Sequence, residues 1–340
     1  MKTIKTLALI FATAMTLVSC SSNDNDAEIK LDSKILFTSN NTDGNVNMYN
    51  VTSLNNVTKA TLTTTATAAD GIYYDGNQDL VVQASRSSFG VEGYANITNF
   101  ATSTTVSANV TGTLDMTSPR EIAVKDNIYV VADNADVDGD PDTKDGKLFV
   151  YTNNGGNFTL RNTITTDFKL WGIIFIGNDL YAIVDTTNKL AVFTNFLNNS
   201  SNATLSASKT IAIEGIVRTH GLTYDTATDV MVLTDIGEAS NGQDDGGFHV
   251  INNFAANFNG TANNETLAIS NQTRVAGTST LLGNPVDVAY DGDSKTVFIA
   301  EAGNGGGRIL AFNNIGNGGN LTPAYNATLS KASAVYLHKE

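Results

Sequence analysis

"REIAVKDNIYVVAD", residues 120–133, decides the fold: two apolar runs, Ile122 to Val124 and Ile128 to Ala132, flank the polar turn Lys125-Asp126-Asn127. Short runs rich in β-branched and aromatic residues on either side of an Asp/Asn turn read as an antiparallel strand pair. The plan recurs in "DGIYYDGNQDLVVQ" (70–83), "WGIIFIGNDLYAIVD" (171–185), "HGLTYDTATDVMVLTD" (220–235) and "VDVAYDGDSKTVFIAE" (286–301). First aliphatic positions Ile72, Ile122, Ile173, Leu222 and Val288 are spaced by 50, 51, 49 and 66 residues. Further alternating strands follow the pairs, as in "KLFVYTNNGGNFTLRNTI" (147–164), "KLAVFTNFLNN" (189–199) and "RILAFNNIGNGGN" (308–320). A period near 50 with four strands per unit predicts an all-β propeller of four-stranded blades.

The two ends of the repeat explain each other. "KILFTSNN" from Lys34 matches the second strand of the unit with no first strand before it, and "SAVYLH" (333–338) matches a first strand with nothing after it. The C-terminal strand is therefore expected to complete the N-terminal blade, which leaves no blade with an orphan edge. That makes six blades and one domain, residues 33–340.

"PREIAVKD" and "NPVDVAYD", followed by "IYVVAD" and "VFIAEAG", resemble the NHL-repeat and SMP-30-like six-bladed propellers. The third and fourth repeats lack the leading proline of that pattern. The resemblance implies the fold; because one fold hosts many functions, it leaves the activity to be argued from a site.

Residues 1–19 read as a secretory signal: Lys2 and Lys5 precede an apolar run from Leu7 to Val18 that is too short to span a bilayer. "LVSC" (17–20) resembles the bacterial lipoprotein box, with Cys20 as the lipidation site, and "SSNDNDAE" continues as an acidic tether over residues 20–32 of the kind seen in Bacteroidota surface lipoproteins. The expected location is the cell envelope: lipid-anchored in the outer membrane through Cys20 and surface-exposed. Cys20 is the only cysteine, so packing rather than a disulfide must hold the fold. The chain carries a net charge of −14, which opposes binding to nucleic acid. Replacing Cys20 with Ser is expected to move the protein from the membrane fraction to the soluble fraction. Unchanged fractionation, with no acyl mass on the wild type, would mean that the box is accidental.

In a propeller, the connections from second to third strand share a face with the starts of the inner strands. This places "SRSSFG" (85–90), residues 133–146, "DTTN" (185–188), residues 235–247 and "EAGNGGG" (301–307) around the channel mouth. Candidate ligand-binding residues are Asp70, Arg120, Trp171 and His220 ahead of the inner strands, with Val286 at the fifth such place, and Asp133, Asp185, Asp235 and Glu301 at the ends of second strands, where Gln83 stands in the remaining repeat. The acids could equally serve to hydrogen-bond turn backbones, which Asp does well. His220 is the one candidate general base, with Asp235 as a catalytic partner; His249 reads as a strand residue, and His338 ends the closing strand. Asp136, Asp138, Asp140, Asp142 and Asp145 could supply several oxygens to calcium, although neither EF-hand frame places the required Gly and Glu; a solvated acidic turn is the alternative. The expected function is a binding or scaffold module that takes a protein or small-molecule ligand on this face, with a calcium-dependent lactonase- or esterase-like hydrolase as the alternative.

Overall fold

The computed structural model describes residues 34–99 and 104–339; the signal segment, Cys20 and the tether lie outside the described residues. Six small sheets form a ring, a six-bladed β-propeller. Blade 1 opens with the inner strand Ala332–His338 and continues through Ile35–Asn40, Val46–Asn50 and Thr58–Thr64. Blades 2 to 5 have inner strands Ala69–Asp75, Pro119–Lys125, Leu170–Ile176 and Leu222–Asp225, and blade 6 begins with Pro285–Asp291. The expected closure is present: the last strand pairs antiparallel with the first, from Ile35 opposite His338 to Asn40 opposite Ala332.

The core is divided into wedges, one at each junction between blades. Period-two alternation explains this, because successive side chains of a strand point to opposite faces. In blade 3, Val130 and Ala132 pack toward blade 4 with Ile173 and Leu180, whereas Tyr129 and Val131 pack toward blade 2 with Leu80 and Val82. Both faces of a blade must therefore be apolar, which is why the second strands read as nearly unbroken hydrophobic runs. In the closing strand, Ala334 joins the wedge with blade 2 and Val335 the wedge with blade 6.

Blades with a fifth strand depart from the expected plan. The connection between the third and fourth strands of one blade reaches back and adds a short parallel strand to the blade before it: Thr105–Val106 on blade 1, Ala203–Leu205 on blade 3 and Thr266–Leu267 on blade 4. Blade 3 ties itself to blade 2 through the Phe158 N–H to the Thr111 carbonyl, and blade 6 ties itself to blade 5 through a bridge between Gly319 and Val275. Among the described residues, no such backbone pairing links the outer strands of blades 6 and 1. That junction relies on the shared inner strand, its apolar wedge, and Lys34 and Lys339, both paired with Asp291. The long 66-residue spacing falls on blade 5, where both the second-to-third connection (236–246) and the third-to-fourth connection, which holds the helix Phe254–Gly260, are long.

Candidate functional site at the channel mouth

Inner strands of neighbouring blades approach closely enough at the axis to require glycine. A Cβ at Gly172 would meet the His220 carbonyl oxygen at 2.5 Å, and one at Gly221 would meet the Cα of Asp287 at 2.5 Å. Where four blades carry Gly71, Gly172, Gly221 and Ala334 at this level, blades 3 and 6, which face each other across the ring, carry Glu121 and Asp287. Below this waist the channel is a cavity of about 290 Å³, lined from all six inner strands and including Tyr73, Phe175, Tyr224 and Tyr336.

The two waist carboxyls strain against ionisation. Burial, then the charge of Asp287, pushes Glu121 well above the carboxylate range, against the Ile122 N–H that its side chain accepts. Burial and the charge of Asp70 raise Asp287 to about 7, although its carboxylate accepts the Val335 N–H at 2.8 Å.

Above the waist the first positions of the inner strands form a ladder of contacts from blade to blade. Arg120 donates to Asp70 at 2.8 Å, and its guanidinium lies 4.1 Å over the Trp171 ring. Trp171 stacks on His220 with ring centroids 3.6 Å apart and planes 3° from parallel. His220 Nε2 lies 3.3 Å from Asp185, which also takes Arg218 at 2.7 Å and the Asn134 amide at 2.8 Å. Despite burial, which pushes the other way, these partners hold the Asp185 carboxyl well below its usual range. Burial lowers His220 to about 4, with Asp185 opposing and Arg218 and Arg120 adding to the effect.

The ladder stops at blades 6 and 1, where Val286 and Ser333 are small. Over them lies a cavity of about 210 Å³ bordered by Asn41, Asp70, Arg86, Arg120, Trp171 and Lys331. Asp70 is held by the Asn41 amide, by Arg120 and, at 3.4 Å, by Arg86. Arg120 Nε and Asn41 Oδ1 are buried without a hydrogen-bond partner.

The strand-end acids do something else. Asp133 accepts the N–H groups of Thr117 and Ser118; Asp235 accepts those of Val217, Arg218 and Gly237; Glu301 accepts those of Gly283, Asn284, Gly303 and Asn304. Each carboxylate thus pins the loop that leads into its own blade's inner strand. Register also corrects one placement: Ser85, not Gln83, stands level with Asp133, and Gln83 instead reaches the Ser39 hydroxyl of blade 1. Asp235 is fully buried, and His220 pairs with Asp185 rather than with it. His249 is a buried strand residue bonded to Gln272.

Of the five aspartates in the acidic loop, Asp136, Asp138 and Asp145 bring carboxylate oxygens within 4.8 Å of one another. Asp140 is not in that group; its side chain accepts the Asp142 N–H, and Asp142 stands outside with it. Calcium holds oxygens at 2.3–2.6 Å, so oxygens around one ion are at most about 5 Å apart. The three carboxylates meet that limit.

The sequence reading did not single out Asn41, Arg86, Lys331, Glu121 or Asp287. For the last two a signal was present, since both are charged at a repeat position that is glycine in three other blades.

No protein-family model matches the chain, and no curated protein matches its sequence. Solved structures share the fold. A putative 6-phosphogluconolactonase from Bacteroides fragilis is similar at 13% identity and a TM-score of 0.55, covering 91% of this chain and 99% of that one. A second, from Bacteroides uniformis, has 14% identity and a TM-score of 0.54, covering 88% and 83%. A chain of a nidogen/laminin complex has 11% identity and a TM-score of 0.54, covering 90% and 98%.

Proposed function

We propose that this protein is a lipid-anchored, surface-exposed binding module of the cell envelope, and that it takes its ligand at the half-open channel mouth. The observation that carries the reading is the break in the ladder: four blades fill the mouth with stacked and paired side chains, and the other two leave a concave space beside them. Loop residues on a rigid scaffold are favoured for binding. Phe89, Leu114 and Val217, three large apolar side chains exposed by 49%, 61% and 51%, sit on loops of the same face and add surface for a larger partner. Trp171 is the only tryptophan and lines the cavity, so its fluorescence reports occupancy directly. Titration with a broad panel of sugars, acids and peptides is expected to shift that fluorescence saturably for at least one class; a silent panel overturns the binding reading.

A hydrolase is the second reading. It is supported by the fold shared with two putative 6-phosphogluconolactonases and by the His220–Asp185 pair. Against it, His220 is only 4% exposed and covered by Trp171, so its ring does not face the cavity's contents. A general base must come within hydrogen-bond reach of the proton it takes. Turnover in a lactone and ester screen that is lost in His220→Ala would favour this reading.

Calcium in the acidic loop belongs to the same proposal, held by Asp136, Asp138 and Asp145, with water completing the six to eight ligands that the ion requires. An ion bound only by the folded state stabilises it by mass action, about 2.7 kcal/mol at a hundredfold excess over Kd. Calcium is therefore expected to raise the melting temperature of the wild type and to leave that of Asp136→Asn/Asp138→Asn unchanged. A wild type that does not respond returns the loop to a solvated turn.

A further inference from the structure

We infer that the ligand of the mouth cavity is a small hydroxylated oxyanion, a sugar acid or a sugar phosphate; this rests on the proposal that the mouth binds a ligand at all. The first ground is charge. In a chain with 34 acidic and 20 basic residues, the cavity is bordered by Arg86, Arg120 and Lys331 against the single carboxylate of Asp70. The other acids nearby do not supply the balance: Asp133, Asp235 and Glu301 are turned into loop backbones, Asp185 is paired with Arg218, and the waist carboxyls Glu121 and Asp287 are buried below, accepting the Ile122 and Val335 N–H groups. The cavity therefore keeps an excess of two positive charges on the surface of an acidic protein. In a concave, partly desolvated place that excess selects anions.

The second ground is the pair of orphaned atoms. Arg120 Nε is a buried donor without an acceptor, and Asn41 Oδ1 is a buried acceptor without a donor. A buried polar group left without a partner is unfavourable, because it has given up its water without gaining a replacement. A bare anion would satisfy the arginine and leave the asparagine unpaired; a neutral polyol would leave the excess charge unmatched. A molecule with an anionic oxygen and a neighbouring hydroxyl answers both. At about 210 Å³, the cavity is smaller than the roughly 300–1,000 Å³ of drug-sized sites, which suits a small occupant of a single ring.

Trp171 fluorescence tests this on the full folded domain with four probes: galacturonate, a hexose phosphate, the neutral hexose galactose, and inorganic phosphate. We expect saturable shifts with one or both sugar anions, at least tenfold weaker binding of inorganic phosphate and galactose, and affinity that falls as salt rises from 50 to 500 mM. Arg86→Gln and Lys331→Gln, both at the cavity edge, should each weaken the sugar anion roughly tenfold while leaving the melting temperature of the free protein within a few degrees of wild type. A response to galacturonate alone assigns a carboxylate, and a response to the hexose phosphate alone assigns a phosphate. Galactose binding as tightly as galacturonate, unaffected by salt or by either substitution, overturns the anion assignment while leaving the mouth a binding site. Silence with all four probes, but a response in the broad panel only to a neutral sugar or a peptide, overturns it in the same way. Only silence with both removes the site itself.

Discussion

A chain ending at Ala332 is expected to lose cooperative unfolding or to aggregate. The deleted residues supply almost the whole inner strand of blade 1, and their removal uncovers Ile35–Asn40, every residue of which is buried in the closed ring. Deletion of Val335 removes a buried aliphatic side chain whose burial contributes about 1.5–3 kcal/mol. Five of the six paired positions of the ladder, Ala334 to His338, are lost as well, at roughly 1 kcal/mol net per hydrogen bond. The total is of the order of a domain's entire stability, about 5–15 kcal/mol. The location worsens the loss, because among the described residues the junction between blades 6 and 1 lacks the backbone strap found at the other five. Melting followed by circular dichroism and calorimetry checks this: a truncated chain that unfolds in one sharp transition near the wild-type temperature would falsify closure as a stability determinant.

Stability is expected to peak near pH 4–5 and to fall as pH rises through neutrality. Asp287 is raised from its ordinary value to about 7, and Glu121 is also raised. A carboxyl whose pKa is higher folded than unfolded contributes stability that is complete below about pH 4 and lost as pH climbs past the folded value. At 1.36 kcal/mol per pH unit, Asp287 alone accounts for roughly 4 kcal/mol across that window. Asp185 and Asp291 act in the opposite sense: both are held below their ordinary range, so their contribution is lost as pH falls below about 4. Asp287→Asn keeps an oxygen for the Val335 N–H and removes the ionisation. The variant is expected to melt several degrees above wild type at pH 8 and close to it at pH 4.5. Parallel melting curves for the two proteins from pH 4 to 9 would show that the waist carboxyls titrate normally and that burial costs them little.

Much of the architecture was legible because it is periodic. Five copies of strand, turn and strand, a first strand missing at one end and a spare at the other, and apolar side chains on both faces of each second strand fix the blades, their number and their closure through backbone alternation alone. The straps between outer strands were not legible: Thr105–Val106 and Thr266–Leu267 are two-residue pairings whose partners lie in another repeat. At the site, sequence placed Asp70, Arg120, Trp171 and His220 on one rim, since each precedes the first aliphatic residue of an inner strand. It could not say which way an acid at the end of a second strand would turn. Tertiary structure decided that Asp133, Asp235 and Glu301 satisfy loop N–H groups, because those amides are buried only once the loop has folded against its own blade. The same holds for the cavity. Asn41, Arg86 and Lys331 meet at the mouth from three distant parts of the chain, and their proximity exists only because the last strand closes the ring beside the first.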